Sequence, residues 1–283
     1  MTFVSRIIIK MFSYLKYFYK RIIIHNIERF IRRSYLVVNY SINKKDINPV
    51  FIIASARSGS YLLLSYLESH PEIYSLGEII NPDIVRGIRD RNISKREVLF
   101  HIKASLNSSK KRIGIAKLLS YQMKSHNLDI DEIRNEFPNA QFIVLYRKSL
   151  IEQYISYELS KASGIWKIDK KKSSKKWKEN DNKINVTPTE LESFCSEIKE
   201  FYNNIFNKKW VQDEALLLSY EELVQIPKDF LSKKLFSFLG LPEVEIETEM
   251  KKMNEKNIED IVENYTSIKN ILEDKKYLLR EVR

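Results

Sequence analysis

Short apolar runs alternate with longer stretches of helical spacing along most of the chain. Val50–Ala54, VFIIA, is an unbroken apolar run of the kind buried on both faces of a parallel sheet. After a small-residue turn, apolar positions predict a helix from Ser60 to about Ser69, which His70-Pro71 ends. Within Glu72–Gly77, Ile73-Tyr74-Ser75-Leu76 predicts a short second strand. Residues 83–110 read as helix and loop, and Arg112–Leu118, RIGIAKL, predicts a third strand. Asp131–Phe137 predicts a short helix and Pro138-Asn139 a turn. Gln141–Tyr146, QFIVLY, predicts a strand that leads at once into a long helix, Leu150–Ser163. Leu216–Ser219 predicts a last strand, and Glu221–Gly240 contains a further helix.

Strands that alternate with helices predict an α/β fold in three layers, a central parallel sheet flanked by helices. The α/β domain spans residues 46–283. Residues 1–45 form a basic N-terminal extension, closed by DINPV at 46–50. No internal repeat is visible.

Charge adds detail to this outline. The chain has 283 residues and a net charge of +11, which points to anionic partners. Residues 1–40 hold eight Lys or Arg against the single Glu28, among Ile, Phe and Tyr. The apolar runs there, Ile7–Ile9 and Ile22–Ile24, fall far short of the roughly 18 residues of a spanning helix. This segment is either a basic amphipathic helix on an anionic membrane surface or a helix packed on the domain with a solvated basic face. No small-residue cleavage site follows an apolar stretch, which speaks against a cleavable signal peptide. The single cysteine, Cys195, fits a reducing compartment. The expected location is the cytoplasm, at the inner face of the membrane if the extension binds lipid. Seven lysines and one aspartate in KIDKKKSSKKWK, residues 167–178, make either a solvated linker or a rim that attracts an anionic substrate. With one Cys, four His and no ligand spacing, no metal site is expected.

Two stretches carry candidate chemistry. Ser55-Ala56-Arg57-Ser58-Gly59-Ser60 joins the first strand to its helix, where backbone N–H groups and the helix dipole favour phosphate. It lacks the G-K-[ST] ending of a nucleotide-hydrolysing P-loop, and its cation, Arg57, precedes the glycine. The second stretch is Phe142–Tyr157, FIVLYRKSLIEQYISY. There Arg147 and Lys148 follow the strand directly, and Ser156 lies eight residues beyond Lys148. Ligands of open α/β sheets bind at strand carboxyl ends, so a cation and hydroxyl there suit a second phosphate.

Together these motifs resemble the sulfotransferases that use 3′-phosphoadenosine-5′-phosphosulfate (PAPS). Their 5′-phosphosulfate loop, P-[KR]-S-G-T-T, is matched by Ala56-Arg57-Ser58-Gly59-Ser60-Tyr61. It departs at Ala56, for proline, and at Tyr61, for a small hydroxyl residue. Their 3′-phosphate motif, a basic residue with a Ser eight further on, is matched by Lys148 and Ser156. Spacing favours Lys148 for this role, and the end of the strand favours Arg147. Arg147-Lys148, Gln153, Ser156 and Gly164-Ile165-Trp166 look most like the bacterial carbohydrate and lipid branch, of the nodulation-factor and trehalose type. Leu216–Pro242 resembles the family's Y-E-D-L…P…F-L-G-L segment, and the likeness runs from about Val50 to the C-terminus.

The resemblance implies a P-loop-like fold, PAPS as co-substrate and no metal. It also implies a carbohydrate or glycolipid hydroxyl as acceptor. Arg57 would stabilise charge on the leaving phosphate, helped by Ser58, Gly59 and Ser60, with Tyr61 completing the loop. Arg147 or Lys148, with Ser156, would hold the 3′-phosphate, and Tyr220 would approach the adenine. Glu78, after a glycine in SLGEIINP, is the implied general base and His70 the runner-up; His101 and His126 lack motif context. Two other readings compete. A P-loop kinase or NTPase lacks its lysine, and a non-catalytic basic module for membrane or nucleic acid leaves both phosphate motifs unexplained. No nucleic-acid partner is therefore expected.

Overall fold

The computed structural model describes residues 47–82, 93–107, 111–166, 183–248, 250 and 257–279. The basic extension 1–45 and the lysine-rich segment 167–178 lie outside the described residues. Among those described, five strands form one parallel sheet: β1 (Asn48–Ala54), β2 (Ile73–Gly77), β3 (Ile113–Leu119), β4 (Gln141–Tyr146) and β5 (Leu216–Ser219). Their spatial order is β2-β3-β1-β4-β5. The helices are α1 (Ser60–Leu67), α2 (Lys95–Asn107), α3 (Ser120–Ser125), α4 (Ile130–Glu136), α5 (Leu150–Ser163), α6 (Pro188–Phe206), α7 (Lys209–Glu214), α8 (Tyr220–Gln225), α9 (Lys228–Phe238), α10 (Ile258–Ile261) and α11 (Tyr265–Leu272). The expected three-layer α/β architecture is present.

The apolar run of β1 is buried because both sheet faces are covered. Phe51 and Ile53 join Ala116, Leu118, Phe142 and Val144 in a core packed by α2, α4, α5 and α6. Val50, Ile52 and Ala54 join Ile115, Ile143, Leu145 and Leu218 in a second core under α1, α8 and α9. Side chains alternate across a strand, so one run feeds both cores. Several boundaries differ from expectation. The first helix stops at Leu67, short of Ser69, and the third strand is Ile113–Leu119. The short helix is Ile130–Glu136, opened by an Asp129 cap. The single helix expected within Glu221–Gly240 is two, because Pro227 stands at the N-cap of α9 and interrupts them.

The topology positions the site. From β1 the chain crosses to the β2–β3 side of the sheet, and from β4 it crosses to β5. Neighbouring strands whose connections diverge leave a crevice at their carboxyl ends, here between β1 and β4. No helix among the described residues is long and apolar enough to cross a membrane.

Candidate active site

The loop Ser55–Gly59 links β1 to α1 at this crevice. Gly59 is the N-cap of α1, in the left-handed region at φ 89°, with no side-chain cap on the helix's first N–H groups. Uncapped N–H groups at a helix start suit an anion. A side chain at Gly59 would place Cβ 2.5 Å from Cδ2 of Tyr220, so the glycine is needed for the aromatic ring as well as for the turn. Arg57 is also left-handed, at φ 65°, a conformation costing roughly 1–3 kcal/mol in a residue with a Cβ. The Ser58 hydroxyl is committed to the Ser55 carbonyl at 2.8 Å, so Ser58 offers a ligand its amide.

Tyr202 of α6 fixes this loop to β4. Its hydroxyl donates to the Leu145 carbonyl at 2.6 Å. That uses its one proton, so the Ser55 amide, at 2.9 Å, and the Ser55 hydroxyl, at 3.1 Å, both donate to it. Gln153 of α5 donates to Ser55 Oγ and to the Ala56 carbonyl, each at 2.6 Å. One buried tyrosine thus ties the two strand ends that flank the crevice. Tyr202→Phe is expected to leave the Ser55 amide and Leu145 carbonyl buried without it. The expected loss is about 2–3 kcal/mol of stability, read by urea denaturation with the slope unchanged.

Of the three cations, Arg57 and Arg147 lie close together and Lys148 does not. Arg57 Nε donates to Ser156 Oγ of α5 at 3.0 Å, and its Nη1 to the Trp166 carbonyl. Burial and the neighbouring Arg147 charge push Arg57 down to about 10. Arg147 is 7% exposed, with its guanidinium 4.6 Å from the centroid of the Tyr220 ring. It pairs with the half-exposed Glu152 at 2.5 Å, while its buried Nε has no partner among the described residues. Lys148 is exposed, and its amide donates to the Glu221 carboxylate at 3.1 Å. The structure therefore separates the two adjacent cations: Arg147 lies in the crevice, beside Tyr220, and Lys148 on the surface.

Glu78 follows β2, whose register shifts between Ser75 and Gly77, with Gly77 at φ 64°. That irregularity precedes a carboxylate held by four donors. Oε1 accepts from the Tyr61 hydroxyl at 2.9 Å and lies 3.1 Å from Lys117 Nζ. Oε2 accepts from Asn81 Nδ2 at 2.7 Å and Gln122 Nε2 at 2.8 Å. Both amides also donate to the Tyr121 hydroxyl. Burial alone pushes Glu78 up. Lys117 and the hydrogen bonds from Asn81, Tyr61 and Lys117 outweigh it, holding the carboxyl below the ordinary glutamate range. Lys117, on β3, is fully buried and also lies 3.4 Å from the Ser60 hydroxyl. It bridges the start of α1 and the Glu78 carboxylate.

Other expectations fare differently. His70 lies in the turn from α1 to β2, at the amino edge of the sheet, about 15 Å of helix from the loop. Its Nδ1 accepts from the Glu72 amide, and its ring packs on Phe236. That placement removes it as the alternative base. His101 and His126, which have no motif context, donate to the Ile79 and Ile80 carbonyls at 3.1 and 3.0 Å. They pin the segment that follows Glu78. Tyr61, expected among the donor ligands, directs its hydroxyl to Glu78 instead. Lys117, Asn81, Tyr121, Gln122 and Tyr202 carry no signal in the sequence reading. Among the described residues, no three His, Cys, Asp or Glu side chains are grouped to hold a metal ion.

The crevice thus offers two arginines, a capping-free helix start and an ionised carboxylate, all at the carboxyl edge of the sheet. No curated protein matches the chain. Comparison with protein families matches residues 49–245 to the sulfotransferase family, starting within β1 and ending short of the C-terminus to which the motif likeness extends. The match takes in the loop between β1 and α1, Glu78, Arg147, Lys148 and Tyr220, and the chain belongs to the sulfotransferase family.

Proposed function

We propose that this enzyme transfers a sulfuryl group from PAPS to a hydroxyl of a carbohydrate or glycolipid. Family membership gives sulfuryl transfer as the activity class. The donor is supported by one observation above all: Arg147 is buried in the crevice beside Tyr220, and among the described residues its Nε has no partner. A buried guanidinium donor left open is costly unless a ligand fills it, and a phosphate oxygen fits its charge and geometry. The half-exposed Glu152 is its counter-ion.

In this reading Arg147 and Ser156 hold the 3′-phosphate, and exposed Lys148 adds only long-range attraction. The amides of Ser58, Gly59 and Ser60, with the Ser60 hydroxyl, hold the 5′-phosphate at the start of α1. Tyr220 lies between Gly59 and Arg147, where it can meet the adenine. Glu78, kept ionised at neutral pH, takes the proton of the acceptor hydroxyl. The acceptor oxygen bonds to sulfur as the bond from sulfur to the 5′-phosphate oxygen breaks. Charge then grows on that phosphate oxygen, where Arg57 and the loop amides stabilise it. Lys117 sits between the two events, 3.1 Å from Glu78 and 3.4 Å from Ser60.

The acceptor class follows the resemblance of Arg147-Lys148, Gln153, Ser156 and Gly164-Ile165-Trp166 to the carbohydrate and lipid branch. Incubation with sulfur-35-labelled PAPS and a panel of glycans, glycolipids, phenols and proteins tests it. Label in a glycan or glycolipid, lost on glycosidase digestion, is the expected result. Label confined to phenols or protein would overturn the acceptor class while sparing the donor.

A further inference from the structure

Tyr61 stands where the resembling loops carry a small hydroxyl residue, in the first turn of α1. Its side chain touches both members of a buried ion pair. The hydroxyl donates to Glu78 Oε1 at 2.9 Å, and Lys117 Nζ lies 3.3 Å from the centre of the ring. Lys117 is fully buried and the Glu78 side chain only 9% exposed. Both charges have lost most of their water, a cost that good geometry and added hydrogen bonds must offset. Tyr61 serves each in its own way: a hydrogen-bond donor for the anion, and the negative face of a π-system for the cation. A serine or threonine has no aromatic face to offer Lys117.

We propose that Tyr61 is a positioning residue for the Glu78–Lys117 pair and not a ligand of the donor's phosphates. It aims the carboxylate into the crevice and holds the ammonium beside the loop. Among the described residues, the charged and titratable groups that face Glu78 are Lys117 from β3, Tyr61 from α1 and Tyr121 from α3, beside the neutral side chains of Asn81 and Gln122. Arg57 acts on Tyr61 from the loop. Burial first, then the Glu78 charge and hydrogen bond, hold the Tyr61 hydroxyl well above its ordinary value, so it remains a donor at every working pH. Its consequence for catalysis rests on Glu78 being the base; the positioning itself does not.

The test uses the full-length chain with carbon-13 in the glutamate carboxyls, the Glu78 signal being assigned through Glu78→Gln. Tyr61→Phe keeps the ring over Lys117 and removes the donor. Its Glu78 midpoint is expected to rise by about one pH unit, with PAP affinity unchanged within about twofold. Tyr61→Thr restores the small hydroxyl of the resembling loops and removes both contacts. It is expected to raise the midpoint at least as far, with no gain in PAP affinity. An unmoved midpoint in Tyr61→Phe, or PAP affinity lowered about tenfold or more, would overturn the proposal. If the native chain binds no PAP, the donor reading falls and the Glu78 titration alone decides. If Tyr61→Thr does not fold, Tyr61→Phe decides.

Discussion

Arg147→Ala is expected to weaken binding of PAP, the desulfated product, by about 100-fold. A hydrogen bond to a charged group contributes roughly 1.5–3 kcal/mol, and every 1.4 kcal/mol is tenfold in affinity. Arg147 is buried, oriented by Tyr220 and already partly desolvated, which places it at the strong end of that range. Lys148→Ala, one residue away, is expected to change PAP affinity by about threefold or less, because an exposed cation acts through screened charge. The contrast between neighbours is the informative part. Calorimetric titration of both variants checks it, and equal losses would return Lys148 to the 3′-phosphate. Burial is the larger cause of the lowered Arg57 value and Arg147 the next, so removing Arg147 relieves only part of it.

Glu78→Gln is expected to lower sulfuryl transfer by about 10²–10⁴-fold, the ordinary contribution of a general base, while PAP affinity stays within about twofold. The pair of readouts separates loss of the base from collapse of the site. Stability should fall as well, because Lys117 would lie fully buried beside a neutral amide. Breaking a buried pair costs about 3–5 kcal/mol. Glu78 is held below its ordinary value near 4.5, so its pairing stabilises the native fold above that pH and is lost as pH falls through the folded value. Thermal melts across pH check this: the native chain is expected to lose that contribution in acid, and Glu78→Gln, which has no carboxylate there, is not.

Strands β1 and β4 were legible as apolar runs buried on both faces, and α5, Leu150–Ser163, was legible to the residue. Its Ser149 cap and Gly164, at φ 67°, punctuate it in the sequence as they do in space. The phosphate loop, Arg57 and Ser156 were legible as motifs, and the fold brings Arg57 and Ser156 into contact. The choice between Arg147 and Lys148 had a usable signal in strand alternation. Arg147 continues the face of Ile143 and Leu145, the side covered by α1 and α8. Lys117 was not legible. It ends no strand, and a lysine inside RIGIAKL shows its burial only once Glu78, from a distant stretch, is placed beside it. Tyr202 is one aromatic among several on a helix face, and nothing local marks the one whose hydroxyl joins two strands. The direction of the Tyr61 hydroxyl, toward Glu78, is not legible either, because a motif position carries an expectation of side-chain direction that a ring of that length need not follow.

The most direct test of the donor site is calorimetric titration of the native, full-length chain with PAP and with 5′-AMP, which differ by the 3′-phosphate alone. The site described here predicts saturable PAP binding with about one molecule per chain, and 5′-AMP weaker by about tenfold or more, the loss of at least one charge-assisted contact. A folded chain that binds neither, or that binds both equally, would contradict a 3′-phosphate held by Arg147 and Ser156.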